Sequence, residues 1–165
     1  MSKKLKALRV RIEEGIDRTS DDSVANLHKK LGETQIEVLI NNAAMFARTA
    51  EGIAKSIILK HLDFDSIREQ FGVNALGALR VTQILLPRLK AGAKVVMMTS
   101  RMGLIADNTF SSSYGYRMSK VALSMAGKSL SHDLKPQGIA VAILHPGLVQ
   151  TRMTNLTANG ITQKH

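Results

Sequence analysis

A phenol and a primary amine stand four residues apart in the stretch YGYRMSK: Tyr116 and Lys120. In a helix, that spacing puts both side chains on one face, a turn apart. A free tyrosine hydroxyl titrates at about 10 and exchanges protons poorly near neutrality. An ammonium beside it favours the phenolate and pulls that value down. The pair then has the chemistry of a general acid/base, passing a proton to or from a substrate oxygen. Such spacing also arises by chance, so the pair needs supporting residues. Tyr114 has Met118, not a lysine, four places on and is expected to serve packing or a substrate pocket.

Other polar residues fall where such chemistry needs them. Ser100 closes the apolar run AKVVMMTS, and a hydroxyl there can donate to a carbonyl and steady a developing oxyanion. Ser111, Ser112 and Ser113 are the alternatives, nearer Tyr116 in sequence; Ser100 is preferred because it ends a run, whereas DNTFSSS has the composition of an enlarged loop. Asn74 lies inside a helical pattern, where asparagine is slightly unfavourable. His145 has structural histidine as its default role.

Elements must hold these residues in place. Four short apolar runs are expected strands: LRVRIE (8–13), EVLINNAA (37–44), AKVVMMTS (93–100) and IAVAILHPG (139–147). The last three are nearly continuous in Val, Ile, Leu and Met, as parallel strands covered on both faces are. Helical patterns alternate with them. One covers 23–31, opened by the capping oxygens of TSDD. A second covers 64–90, with Pro87 kinking it or ending it near Leu86. A third covers 116–134 and is stopped by KPQG. The alternation predicts an α/β fold, a doubly wound parallel sheet in one domain over 1–165. Ligands of such sheets sit beyond the carboxyl ends of the strands. Asn41 to Ala44, Thr99 to Arg101 and His145 to Gly147 all fall there. The long connection 46–63 is expected to be a surface loop near the site.

Composition narrows the function. The chain has 165 residues, enough for one domain with a core, and 44% hydrophobic residues, which argues against disorder. It contains no cysteine, which excludes disulfides and thiolate metal sites; no metal is expected. No uncharged apolar run reaches membrane-spanning length, and the basic start lacks a secretory pattern, so cytoplasmic localisation is expected. The formal net charge is +10, but the basic residues are dispersed and aromatic content is only 4%. Few side chains could stack on bases, so a small anionic ligand is favoured over nucleic acid.

The ordered motifs VLINNAAM, FGVNALGALRVTQILLP, KVVMMTSRMG, YGYRMSK and ILHPGLVQT resemble the short-chain dehydrogenase/reductase family, in its small carbonyl-reductase, C-factor-like branch. The resemblance implies a Rossmann-like fold and NADP- or NAD-dependent interconversion of a carbonyl and an alcohol. It implies Tyr116 as general acid/base, Ser100 as the catalytic serine, and Lys120 as tuner and ribose ligand. Asn74 would help hold a water that relays protons to Lys120. For the cofactor it implies Asn42, Ala43 and Ala44 near the adenine ribose, Asp17 at the adenine ring, and Pro146, Gly147 and Thr151 facing the carboxamide. Ala44 stands where the family usually has glycine, and a loop role for Asp17 is an equal alternative. A homodimer or homotetramer is the expected assembly.

The family's glycine-rich phosphate turn is not found among the twelve glycines. The chain is therefore expected to lack the first β-α-β unit and the last strand, as a truncated or divergent member. An impaired fragment or interaction protein with weak cofactor binding is the alternative to an active enzyme.

Overall fold

The computed structural model describes residues 10–46 and 58–147. Helix α1 spans Asp21–Leu31, two residues longer at its start than the apolar pattern suggests. The Ser20 side chain accepts from the Ser23 amide and fixes that earlier start, with Asp21 and Asp22 in the first turn and His28, Lys29 and Lys30 in the last. Strand β1 is Ile36–Asn41. The long helical pattern divides into α2 (Phe64–Phe71), a π-helical turn (Gly72–Leu76), α3 (Gly77–Leu85) and a 3₁₀ turn (Leu86–Arg88). Pro87 ends the helix there, because a proline cannot supply the next amide. Strand β2 is Leu89–Met98, α4 is Tyr114–Leu134 and β3 is Ala140–Leu144. KPQG makes a 3₁₀ turn before β3, with Gly138 at φ 70°.

The three strands form a parallel sheet in the order β1-β2-β3. The registers Leu39–Val95–Val141 and Asn41–Met97–Ile143 put these residues on one face. That face is the core side: Val95 and Met97 are wholly buried, and Leu123 of α4, Ala78 of α3 and Leu134 pack into the same cluster. Helix α1 leans on α3, and α2 on α4. Gly127 lets α4 approach the sheet, since a methyl there would lie 2.9 Å from Ile143 and 3.2 Å from Met97.

The opposite face differs from the two-sided cover that the continuous apolar runs suggest. Val38 is 48% exposed and Ile40 56%. Among the described residues the helices lie over the first face alone. The expected first strand also needs correction. Its described part, Val10 to Glu13, is irregular. Arg11 is tied instead to Glu13 and to the Lys30 carbonyl. A strand exists only where a neighbour accepts its ladder, and the three-stranded sheet does not extend to this segment.

Helix α4 contributes Leu123 and Leu134 to this one-sided core. Leu123→Ala removes a side chain that is 1% exposed and should cost about 2–5 kcal/mol in urea unfolding. Met125→Ala, on the same helix at 65% exposure, should change stability by less than about 0.5 kcal/mol.

Candidate active site

Tyr116 and Lys120 sit in the first two turns of α4, below the carboxyl end of β2. Lys120 is 2% exposed. Its ammonium donates to the Met98 carbonyl at 2.9 Å and lies 5.7 Å from the centre of the Tyr116 ring. Gly103 makes this depth possible: a methyl there would come within 2.8 Å of the Lys120 Cβ and 2.9 Å of its carbonyl carbon. Gly103 belongs to the 3₁₀ turn Arg101–Gly103, whose cap is Ser100, with Oγ accepting from the Met102 amide at 3.2 Å. Ser100 is half-buried, and its hydroxyl lies near enough to the Tyr116 phenol to draw the phenol's pKa down. The structure thus brings Ser100, Tyr116 and Lys120 together. Ser113 is instead the N-cap residue of α4, in the left-handed region at φ 57°.

The electrostatics depart from the sequence expectation. Tyr116 titrates above its ordinary value, because burial disfavours the phenolate; only the nearby Ser100 hydroxyl draws it back. Phe46, from the loop after β1, supplies part of that burial, with its ring centre 5.0 Å from that of Tyr116. Lys120 is pulled down to about 8, chiefly by burial and then by the charge of Arg18. Desolvation therefore outweighs the mutual help of phenol and amine that the spacing suggests.

Asn74 is 1% exposed and lies in the π-helical turn. Its Oδ1 accepts from the Met45 amide at 2.8 Å, and its Nδ2 donates to the Met45 carbonyl and to Ser119 Oγ, each at 2.9 Å. Both amide hydrogens are spent. Asn74 clamps the β1 loop, and with it Phe46, onto α4; the Lys120 ammonium is bonded elsewhere. The π turn rotates the asparagine inward, a use such bulges often have near functional sites.

The proposed cofactor residues divide. Asn42 and Ala43 are exposed beyond β1 and Ala44 is half-buried. Asn41 is structural, donating to Thr82 Oγ1 at 3.0 Å. Asp17 is exposed, and its carboxylate accepts from the Thr19 amide and hydroxyl at 2.8 and 2.7 Å, which lowers its pKa. Those contacts shape the turn before α1. Pro146 and Gly147 are exposed beyond β3, with Gly147 at φ 77°. Thr151 lies outside the described residues. His145 accepts from the Arg101 amide at 3.3 Å, a structural role.

Sequence reasoning missed Arg18. Its Nη1 donates to the Ala43 carbonyl at 2.6 Å, and its stem packs on Gly77. Its Nε and Nη2 are buried without a partner among the described residues. The signal was a basic residue beside Asp17 and just before a helix cap.

Residues 3–161 match the family model described as short chain dehydrogenase. The chain belongs to the short-chain dehydrogenase family. It is 39% identical over 91% of its length to a 1-hydroxy-2-glutathionyl-2-methyl-3-butene dehydrogenase of Rhodococcus sp., covering 64% of that protein. It is 46% identical over 72% of its length to the C-signal protein of Myxococcus xanthus, covering 68% of it. Among solved structures it is similar to a Burkholderia multivorans short-chain dehydrogenase/reductase with bound NADP: TM-score 0.79, 25% identity, 91% of this chain and 62% of that one. The carbonyl reductase Sniffer of D. melanogaster gives TM-score 0.73 at 30% identity, covering 84% of this chain and 60% of that one. This short-chain dehydrogenase sequence thus spans slightly under two thirds of the length of the first of each.

Two measurements check this geometry. Lys120 has a lower pKa folded (about 8) than its ordinary 10.5, so the unfolded chain binds more protons between those values. Stability should rise across that window, by an amount on the order of 3 kcal/mol, relative to Lys120→Met in parallel urea titrations at each pH. Separately, Asn74→Ala leaves both Met45 backbone groups without partners and should destabilise by about 1–3 kcal/mol, with faster hydrogen exchange at the Met45 amide.

Proposed function

We propose that the chain carries the acid/base half of an NADP- or NAD-dependent interconversion of a carbonyl and an alcohol. The observation that supports it is the convergence of Ser100, Tyr116 and Lys120 at the carboxyl end of β2, where ligands of such sheets bind. When bound, the dinucleotide supplies or accepts the hydride at the carbonyl carbon. The residues present fit an anionic cofactor there: Arg18 holds two buried nitrogens without partners among the described residues at the end of β1, close enough to act on Lys120.

The protein's own steps follow from the environments. Ser100 donates to the substrate oxygen and steadies charge developing on it. Tyr116 keeps its proton at neutral pH because its surroundings disfavour the phenolate. It therefore acts as the acid in the reducing direction, passing its proton to the oxygen as negative charge forms there. Lys120, titrating at about 8, holds its charge below that pH and favours the transient phenolate once the proton has left. Asn74 holds the Phe46 loop against the phenol, excluding water from it. Asn42, Ala43, Ala44, Pro146 and Gly147 border the same ends of the sheet and would line the cofactor's path.

Oxidation of NADPH and of NADH by purified protein, against a panel of aldehydes and ketones, tests the proposal. Tyr116→Phe should lower the carbonyl-dependent rate by about 10²–10⁴ while leaving dinucleotide affinity, read by calorimetry, within about threefold. Equal rates for the two proteins would overturn it.

A further inference from the structure

A cavity lies on the other side of α4 from the phenol. Tyr116, Lys120 and Leu123 share the face turned to the sheet, whereas Tyr114, Arg117, Met118 and Val121 share the opposite one. The loop that follows Ser100 folds over this second face and leaves a half-open hollow of about 220 Å³. Its walls are mainly aliphatic and aromatic: Met102, Leu104, Ile105, Phe110, Met118 and Val121. Four of these are large apolar residues left in contact with solvent, among them Ile105 at 79% and Met118 at 49% exposure.

The wall also contains Arg117, which is 8% exposed. Its guanidinium stacks 4.3 Å from the centre of the Phe110 ring, and its Nε donates to the Ser112 carbonyl at 3.2 Å. Its Nη2 is buried with no partner among the described residues. The carboxylate on the same loop, Asp107, is taken by Arg101 at 2.9 Å. A cation in such surroundings has lost its hydration and gained one neutral acceptor and one ring face, an incomplete exchange. An anion that reached Nη2, by displacing the groups that now cover it, would complete it, and the adjoining cavity accepts an apolar tail.

We propose that this cavity is a binding site for a small amphipathic anion, an aliphatic carboxylate whose head pairs with Arg117 and whose chain lies among Met102, Leu104, Phe110 and Val121. The site is separate from the one containing Tyr116, so its occupancy does not depend on the catalytic proposal. Its size suits a short chain, since it falls below the roughly 300 Å³ at which drug-sized pockets begin.

Calorimetric titration of the whole chain with octanoate and with 1-octanol tests the assignment. Octanoate should bind wild type and Tyr116→Phe alike, and more tightly than octanol. Arg117→Met should weaken octanoate about tenfold or more, the loss of one charge-assisted hydrogen bond, and leave octanol unchanged. Met118→Trp alters an exposed position, fills the cavity and should abolish both; it carries the test if Arg117→Met proves unfolded by circular dichroism. Absence of octanoate binding to wild type, equal octanoate affinity in folded Arg117→Met, or undiminished binding to Met118→Trp would overturn the proposal.

Discussion

A buried ammonium is the constraint around which the rest of the site is arranged. Lys120 is 2% exposed, and such a charge is tolerated only where something replaces its water. The Met98 carbonyl, at 2.9 Å, does so in part. Reaching that carbonyl requires α4 to lie close under the turn that leaves β2, which only a glycine at 103 permits. The same closeness puts the Ser100 cap over α4 and the Tyr116 phenol beneath it. The remaining cost appears in the titration of the lysine itself, pulled down to about 8. Such perturbation is common where protein side chains are set up for proton transfer.

A second tie joins this arrangement to β1. Asn74 reads both backbone groups of Met45 and reaches Ser119, whose hydroxyl in turn donates to the Tyr116 carbonyl at 2.8 Å. The loop after one strand, the π turn of one helix and the first turns of another are thereby locked together around the phenol. Phe46 follows Met45 directly in the chain, so the same lock supports its ring against the tyrosine. Rigid support of this kind lets a weak acid keep one geometry through a reaction.

How much of this was legible in the sequence depended on whether the information was local. The runs 37–44, 93–100 and 139–147 were legible as parallel strands from their continuous apolar character, although among the described residues only one face of the sheet is covered. LRVRIE alternates apolar with charged residues, as a strand can, but a strand is a property of a pair, and no partner was visible in the run itself. Asn74 stood out as a poor helix residue; that a π turn would direct it to Met45 was not encoded in the helical period. The Tyr116–Lys120 spacing correctly implied a shared face. It misled about the phenol's titration, since spacing reports separation and is silent on burial. Arg18 is missed for the same reason: it lies 23 residues before Asn41, and only the fold brings its guanidinium to the end of that strand.

The dispersed +10 charge also takes on a different meaning in three dimensions. Most carboxylates that find partners do so near the surface: Glu13 with Arg11 and Lys30, Asp65 with Arg68, Asp21 with Arg80, Asp107 with Arg101. The cations that are most deeply placed, Arg18, Arg117 and Lys120, have carbonyls and rings as neighbours and no carboxylate in an ion pair among the described residues. A net charge spread over a surface attracts anions weakly and is screened within about 8 Å at physiological salt. Cations held in low-dielectric surroundings without a counter-charge attract them strongly and selectively. On the proposed readings, the part of the excess that binds anions is these three residues. They lie about α4 and the ends of the strands, so the anions this protein selects should be small molecules that reach inward rather than polymers that lie along its surface.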